Sequence, residues 1–266
     1  VSPYVAVLGL GEAGSLIAAD LVAARADVRG YDPEVPHVDG VESRDDEADA
    51  VRDADLVLSV NSSHDAMTAL EHALPALRPG TIWADLNTAS PGLKAALARA
   101  AGERAAVVDV ALMAPVPGRG LRTPMLVSGE AAARYAAVLA PLGADVAVQP
   151  GPVGEAISRK LLRSVFYKGL AAAVVESLAA GEAAGCGDWL RGNIRAELAG
   201  FDDRTIDRLV EGTRKHARRR ADEMAAATEQ LEELGIPPRI SAAARDLLTE
   251  LRDAGALGAA GREEAR

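Results

Sequence analysis

The sequence predicts an α/β half followed by an all-helical half. Three observations carry this. From Tyr4 to Val148, short apolar runs alternate with amphipathic stretches, the pattern of parallel strands joined by crossover helices. After Gly154 no convincing strand appears. The stretch Gly154–Gly169 places Lys160, Ser164 and Lys168 at four-residue steps, on one face of a long helix that starts where the strands stop. The expected boundary follows: a sheet domain over residues 1–153 and a helical domain over 154–266.

The first two elements hold the most specific signal. Tyr4–Leu8 reads as a buried strand, and Ser15–Ala24 has helical periodicity. Between them lie Gly9, Leu10, Gly11, Glu12, Ala13 and Gly14, a G-x-G-x-x-G loop. In a Rossmann domain the first glycine makes the tight turn, the second lets backbone approach a pyrophosphate, and the third lets helix and strand pack closely. The helix N-terminus adds N–H groups and a partial positive charge. The alternative is a glycine-rich turn in another α/β fold. The second strand, Asp27–Tyr31, ends at Asp32-Pro33. Asp32 stands where an acid grips the adenosine ribose hydroxyls. A carboxylate there repels a 2′-phosphate, which favours NAD, with NADP as the alternative if Arg29 or Arg44 folds back toward that pocket. Asp32-Pro33 also fits a plain turn.

Residues 34–50 read as a loop and one short helix. Leu56–Val60 is the third strand; Val60 and Asn61 lie at its C-terminal end, where open α/β sheets bind ligands. His64 is expected to begin a helix over 64–74. Thr81–Leu86 is the fourth strand, with Asn87 and Thr88 at its tip, and Ser90-Pro91 starts the next helix. Ala106–Val110 is the fifth strand. Ala111–Gly120 reads as a long structureless loop that includes Met113 and Arg119, the kind of loop that carries function on a rigid scaffold. Arg119 and Arg122 are candidates for gripping a carboxylate or phosphate; solvated loop charges are the alternative. Met125–Ser128 and Ala144–Val148 read as strands around a helix over 130–140. The long helix runs from Gly154 to about Gly181, with Leu161, Leu162, Val165 and Phe166 packing on the side away from Lys160. It either joins two domains and carries a proton-transferring lysine into the cleft between them, or is a solvated basic stripe. Further helices are expected over 187–199, 203–211, 213–234 and 240–254, with Pro237-Pro238 before the last and a frayed tail from Gly255.

Composition narrows the function classes. The 266 residues are 49% hydrophobic but only 3% aromatic, so the core is built from Ala, Val and Leu. A formal charge of −10 argues against nucleic acid or an anionic membrane as partner. The one dense basic run, Arg214 to Arg220, lacks interleaved aromatics and reads as a solvated helix face, with contact to an anionic substrate or a partner subunit as the alternative. Cys186 is the single cysteine, so no intrachain disulfide forms. No apolar run reaches membrane-spanning length, and the first residues lack a signal-peptide pattern; a cytoplasmic protein is expected. The histidines are scattered and the acids lack ligand spacing, so no metal site is expected.

Taken in order, these residues resemble the β-hydroxyacid dehydrogenase family, which includes 3-hydroxyisobutyrate dehydrogenases and shorter relatives of 6-phosphogluconate dehydrogenase. The likeness rests on Gly9–Gly14 (with Ala13 where methionine is usual), on Asp32, on Asp85-Leu86-Asn87-Thr88 with Pro91, and on Gly154–Ser164, where Lys160 falls on the family's catalytic lysine. It implies a Rossmann domain, a long interdomain helix, an all-helical second domain and a homodimer or larger assembly. It also implies hydride transfer between NAD(P) and a small hydroxy acid or related anion, with Lys160 as general acid–base. Ser164 would bond the reacting oxygen or orient the ammonium, Arg163 and Arg119 would hold the anion, and Lys168 is the fallback base. The substrate half departs from the family. Met113 takes the serine position of the segment that begins at Asp109, and Arg163 and Ser164 take the places of two asparagines. That resembles a 6-phosphogluconate dehydrogenase C-terminal-like subgroup. An imine reductase of the same architecture and a non-catalytic dinucleotide-binding protein are the alternatives; pyrroline-carboxylate reductase fits less well.

Overall fold

The computed structural model describes residues 2–263. Eight strands form one sheet in the order β3-β2-β1-β4-β5-β6-β7-β8: β1 (Tyr4–Leu8), β2 (Asp27–Tyr31), β3 (Glu42–Ser43), β4 (Leu56–Ser59), β5 (Ile82–Asp85), β6 (Ala106–Leu112), β7 (Met125–Ser128) and β8 (Val146–Val148). All neighbours are parallel except β6 and β7, which pair antiparallel with Asp109 opposite Ser128. Strands β1, β4, β5 and most of β6 are buried residue by residue, as expected where helices cover both faces of a parallel sheet. The pleat sends Val5 and Val7 into one core and Tyr4, Ala6 and Leu8 into the other. The strand order reverses between β1 and β4, and their C-terminal ends form the switch point at which such sheets bind ligands.

Local chemistry starts the crossover helices. In α2 (Glu47–Val51), Asp46 caps the N-terminus by accepting from the Asp49 amide. In α4 (Pro91–Ala101), Ser90 accepts from the Leu93 amide and Pro91 sits in the first turn. Helix α1 (Glu12–Ala23) has no side-chain cap at its N-cap residue, Gly11. Helices α3 (Ala66–Ala73) and α5 (Ala132–Leu139) complete the layers.

Several expectations are corrected. Residues 34–50 contain the short strand β3 as well as a helix, because Val41 is buried and Glu42 pairs with Arg29 and Arg44. His64 lies in the turn before α3, where the Ser62 hydroxyl accepts the His64 and Asp65 amides. The stretch after β6 is not structureless. The Met113 amide donates to the Pro124 carbonyl at 2.8 Å, Val116 is buried, and a 3₁₀ turn spans Gly120–Arg122. Asp20 of α1 anchors that turn by accepting the Leu121 amide at 2.8 Å.

The chain divides into two compact units, residues 1–163 and 164–266. The division falls inside α6 (Glu155–Ala183). Beyond it come α7 (Gly187–Ala199), α8 (Thr205–Lys215), α9 (Ala217–Glu233) and α10 (Arg239–Glu263); among the described residues no strand follows β8. Helix α8 starts two residues later than expected because Asp202 and Thr205 bond to each other ahead of it, and the break before α9 falls at His216. The helix expected over 240–254 continues to Glu263; residues 264–266 of the expected tail lie outside the described residues. Helix α10 is held to α6 by Glu176, which accepts the Ile240 and Ser241 amides at 2.8 Å each. The expected packing of the apolar side of α6 is corrected too. Leu161 is partly buried, but Leu162, Val165 and Phe166 are 69%, 74% and 55% exposed. The basic run straddles the α8–α9 break, where Arg219 pairs with Glu223 and Arg220 reaches Thr213.

Candidate functional site

The glycine loop forms a backbone cradle at the switch point. Gly9 has φ +95°, and a Cβ there would come within 2.7 Å of the Val60 and Asn61 backbone. A Cβ on Gly14 would meet the Gly9 carbonyl oxygen at 1.9 Å. Both positions therefore need glycine. Gly11 faces open space, and it opens α1, whose first N–H groups have no side-chain cap. Leu10 turns its side chain into the core and donates its amide to Asp32 Oδ2 at 2.6 Å. Asp32 Oδ1 accepts from the Glu34 and Val35 amides at 2.8 and 3.1 Å. Three backbone donors fix this carboxylate, and an ionised carboxylate retains acceptor capacity beyond them. Glu12 is exposed and Ala13 half-buried in the first turn of α1.

The loop borders a cavity of about 370 Å³, to which Gly9, Gly11, Asp32, Val60 and Asn61 all contribute. Glu34, Glu47 and Asp65 also line it, and among the described residues no Lys or Arg does. Arg29 instead pairs with Glu42 and covers the Tyr4 ring, while Arg44 reaches Glu42 and Asp49. A glycine cradle, an uncapped helix start and a braced acid fit a dinucleotide.

A second polar cluster lies at the tips of β5 and β6. Lys94 of α4 is fully buried with Asp85 and Asp109. Its Nζ donates to the Asp85 carbonyl at 2.7 Å and faces Asp85 Oδ2 at 2.6 Å and Asp109 Oδ1 at 3.3 Å as ionic contacts. Asp85 Oδ1 accepts from Asn87 Nδ2 at 2.6 Å, and the same amide reaches Asn61 Oδ1 at 2.7 Å. Asp109 Oδ2 accepts the Ile157 amide at 2.9 Å, and Ser128 Oγ accepts the Ala156 amide at 3.0 Å. The first turn of α6 is thus pinned by buried acceptors from β6 and β7. One turn on, Lys160 Nζ donates to Thr88 Oγ1 at 2.9 Å. Burial lowers the Lys160 pKa most, the Lys94 charge lowers it further, and Asp109 opposes.

On the other side of α6, Arg163 Nη1 donates to the Met113 carbonyl at 3.0 Å, so the structure brings together Thr88, Lys160, Arg163 and Met113. Arg119 and Arg122 are exposed on the anchored turn. Ser164 is half-buried and begins the second unit; Lys168 is exposed. Lys94 and Ser128 were not among the residues expected from sequence. A signal for Lys94 existed: it shares a helix face with Leu97 and Ala101, so the period of α4 points it inward.

An open, mostly parallel sheet with this cradle at its switch point defines a nicotinamide-dinucleotide-binding protein. Residues 4–149 match the NAD binding domain of 6-phosphogluconate dehydrogenase, and the chain belongs to that β-hydroxyacid dehydrogenase-like family. Residues 182–251 match a second family, described as Domain of unknown function (DUF1932). Among solved structures, a conserved hypothetical protein from Sinorhizobium meliloti is 30% identical over 94% of this chain and 88% of that one, with TM-score 0.61. A conserved protein of unknown function, described as structurally similar to 3-hydroxyacid dehydrogenases, is 26% identical over 95% of this chain and 99% of that one, with TM-score 0.62. An imine reductase from Streptomyces aurantiacus shares the fold at TM-score 0.77 and 20% identity, over 95% of each chain. No curated protein matches significantly. The family and fold make this chain an NAD(P)-dependent oxidoreductase of the dehydrogenase or reductase type. Among the described residues, no helix is long and apolar enough to cross a membrane.

Proposed function

We propose that the protein moves a hydride between NAD and the carbinol carbon of a small hydroxy acid or related anion, with Lys160 as the general acid–base group. The observation that carries this reading is the Lys160–Thr88 pair, a lysine held 2.9 Å from a strand-tip hydroxyl with its proton affinity lowered by burial. The nicotinamide supplies the hydride chemistry when bound. Gly9–Gly14 and the start of α1 hold its pyrophosphate, Asp32 the adenosine ribose hydroxyls, and Val60, Asn61, Asn87 and Thr88 the part nearer the chemistry. The acidic cavity wall and the engaged Arg29 and Arg44 support NAD over NADP. Lys160 takes the hydroxyl proton on oxidation and returns it to the carbonyl oxygen on reduction. A lowered pKa brings both forms of the lysine nearer to neutral pH. Thr88 fixes the ammonium, Ser164 on the next turn bonds the reacting oxygen, and Arg163 with Arg119 holds the anionic end beside Met113. In functional terms residues 1–153 serve the cofactor and 154–266 the substrate and a second copy of the chain. The exposed apolar side chains of α6 support that partner, and a single exposed thiol, Cys186, fits a reducing cytoplasm.

Lys160→Ala is expected to lower kcat by about 10²–10⁴-fold with NAD binding nearly unchanged; wild-type-like turnover overturns the assignment. The substrate panel pairs hydroxy acids with cyclic imines, because Met113 and Arg163 replace polar positions of the hydroxy-acid family. Turnover of imines alone moves the protein to imine reduction, and tight NAD binding with no turnover of either class makes it a non-catalytic binder.

A further inference from the structure

We propose that Lys94 is a positioning residue for Lys160: it occupies the counter-ion place at two buried carboxylates, and so fixes both where Lys160 points and which charge acts on it. The inference rests on the reading of Lys160 as the acid–base group. Two carboxylates brought together at adjacent strand tips repel each other unless a cation is buried with them. Lys94 is that cation, with its Nζ 2.6 Å from Asp85 and 3.3 Å from Asp109 and none of the three side chains exposed. Each carboxylate has a second oxygen already committed to the site. Asp85 Oδ1 holds the Asn87 amide, next in sequence to Thr88, and Asp109 Oδ2 holds the Ile157 amide in the turn before Lys160. Thr88 and Lys160 then meet at 2.9 Å. Both halves of that pair are therefore placed through groups that Lys94 holds.

Among the charges acting on Lys160 are Lys94 from α4 and Asp109 from β6, with Arg159 and Arg163 flanking it on α6. Lys94 disfavours a second ammonium nearby and outweighs the opposing pull of Asp109. Replacing Lys94 with an uncharged side chain removes the larger of the two and leaves Asp109 uncompensated, which moves Lys160 toward an ordinary, more basic lysine. A purely structural Lys94 has no such effect on a neighbour's titration.

The test is the pH dependence of Lys160 acetylation by trace acetic anhydride on the full chain, read by mass spectrometry of the Lys160 peptide. Wild type should titrate below an ordinary solvent-exposed lysine. The variant K94M/D85N, which removes one charge of each sign, should shift the Lys160 midpoint upward. The charge-free K94M/D85N/D109N variant keeps an amide oxygen for Ile157 and serves if the first fails to fold; the same upward shift is expected, smaller because Asp109 is gone. An unchanged Lys160 midpoint in a variant that melts cooperatively overturns the proposal, as does loss of folding in both variants, which assigns Lys94 to stability alone. Because the readout is not turnover, failure of the acid–base reading shows separately, as wild-type-like turnover in Lys160→Ala.

Discussion

Two lysines sit near the strand tips and behave in opposite ways. Lys94 has no exposed surface and two carboxylates around it; leaving a buried pair without one partner costs about 3–5 kcal/mol, so Lys94→Ala is a folding defect first. Lys160 is only partly buried and donates to the Thr88 hydroxyl. Asp32 is the other residue whose chemistry can be isolated. It braces the glycine loop through Leu10 and the following turn through Glu34 and Val35, and in the proposed function it is the charge that excludes a 2′-phosphate. Asp32→Asn keeps an acceptor and removes the charge. Hydrogen bonds to a charged group contribute about 1.5–3 kcal/mol, so NADH affinity should fall by about 10–100-fold, while NADPH affinity falls less or rises. Fluorescence titration of the two reduced cofactors checks this; an unchanged NADH-to-NADPH preference removes Asp32 from cofactor selection. The glycine turn and the place of Asp32 beside it were legible because spacing within one strand-loop-helix unit sets them. Lys94 was legible only as an inward position, since its partners come from β5 and β6.

At the scale of elements, helix α6 is defined at its start by what the sheet presents to it. Its Ala156 and Ile157 amides end on Ser128 and Asp109, a cap supplied from distant strands where α4 uses its own Ser90. Helix α10 is treated the same way by Glu176 of α6. Burial raises the Glu176 pKa, but the Ile240 and Ser241 amides and the Ser241 hydroxyl outweigh it, and the folded-state value lies below that of an ordinary carboxylate. The sign follows. Stability from this contact is fully present above the unfolded pKa and is lost as pH falls through the depressed folded value. Glu176→Gln should therefore cost about 1 kcal/mol at neutral pH, the size of a lost cap, and the gap to wild type should close below the ordinary carboxylate range. Denaturant melts at neutral and acid pH measure it; a gap constant with pH rules out the ionised cap. Periodicity placed the starts of α6 and α10 within one residue but could not show what caps them, because these caps are side chains from elsewhere in the fold.

For the whole molecule, the second unit has little large apolar burial among its described residues. Its buried residues include Ala217, Ala221, Thr228 and Ser241, while Trp189 and Ile206 are 69% and 72% exposed. Burying a Val, Leu, Ile or Phe side chain contributes about 1.5–3 kcal/mol, and contiguous exposed apolar faces mark interaction surfaces. The proposed second copy would cover the face that Val165 and Phe166 present on α6. Light scattering should give about twice the chain mass for wild type, and V165D/F166D should shift it to the monomer mass with the sheet unit still folded. A monomeric wild type at micromolar concentration overturns the proposed dimer.

What the sequence by itself determined is everything that local spacing encodes: the strand-glycine-helix cradle, the acid after the second strand, the change from alternating strand and helix to helices alone, and the lysine one turn into α6. Each follows from a backbone period or a tight turn within a few residues. Only the tertiary structure decided that Asp85, Lys94 and Asp109 share one buried site, that Asp20 orders the turn after β6, that Met113 meets Arg163 through its backbone, and that Leu162, Val165 and Phe166 stay exposed in the single chain. Those facts depend on which strand tips become neighbours in the sheet, and charge pairing and burial are set by such neighbours rather than by sequence distance.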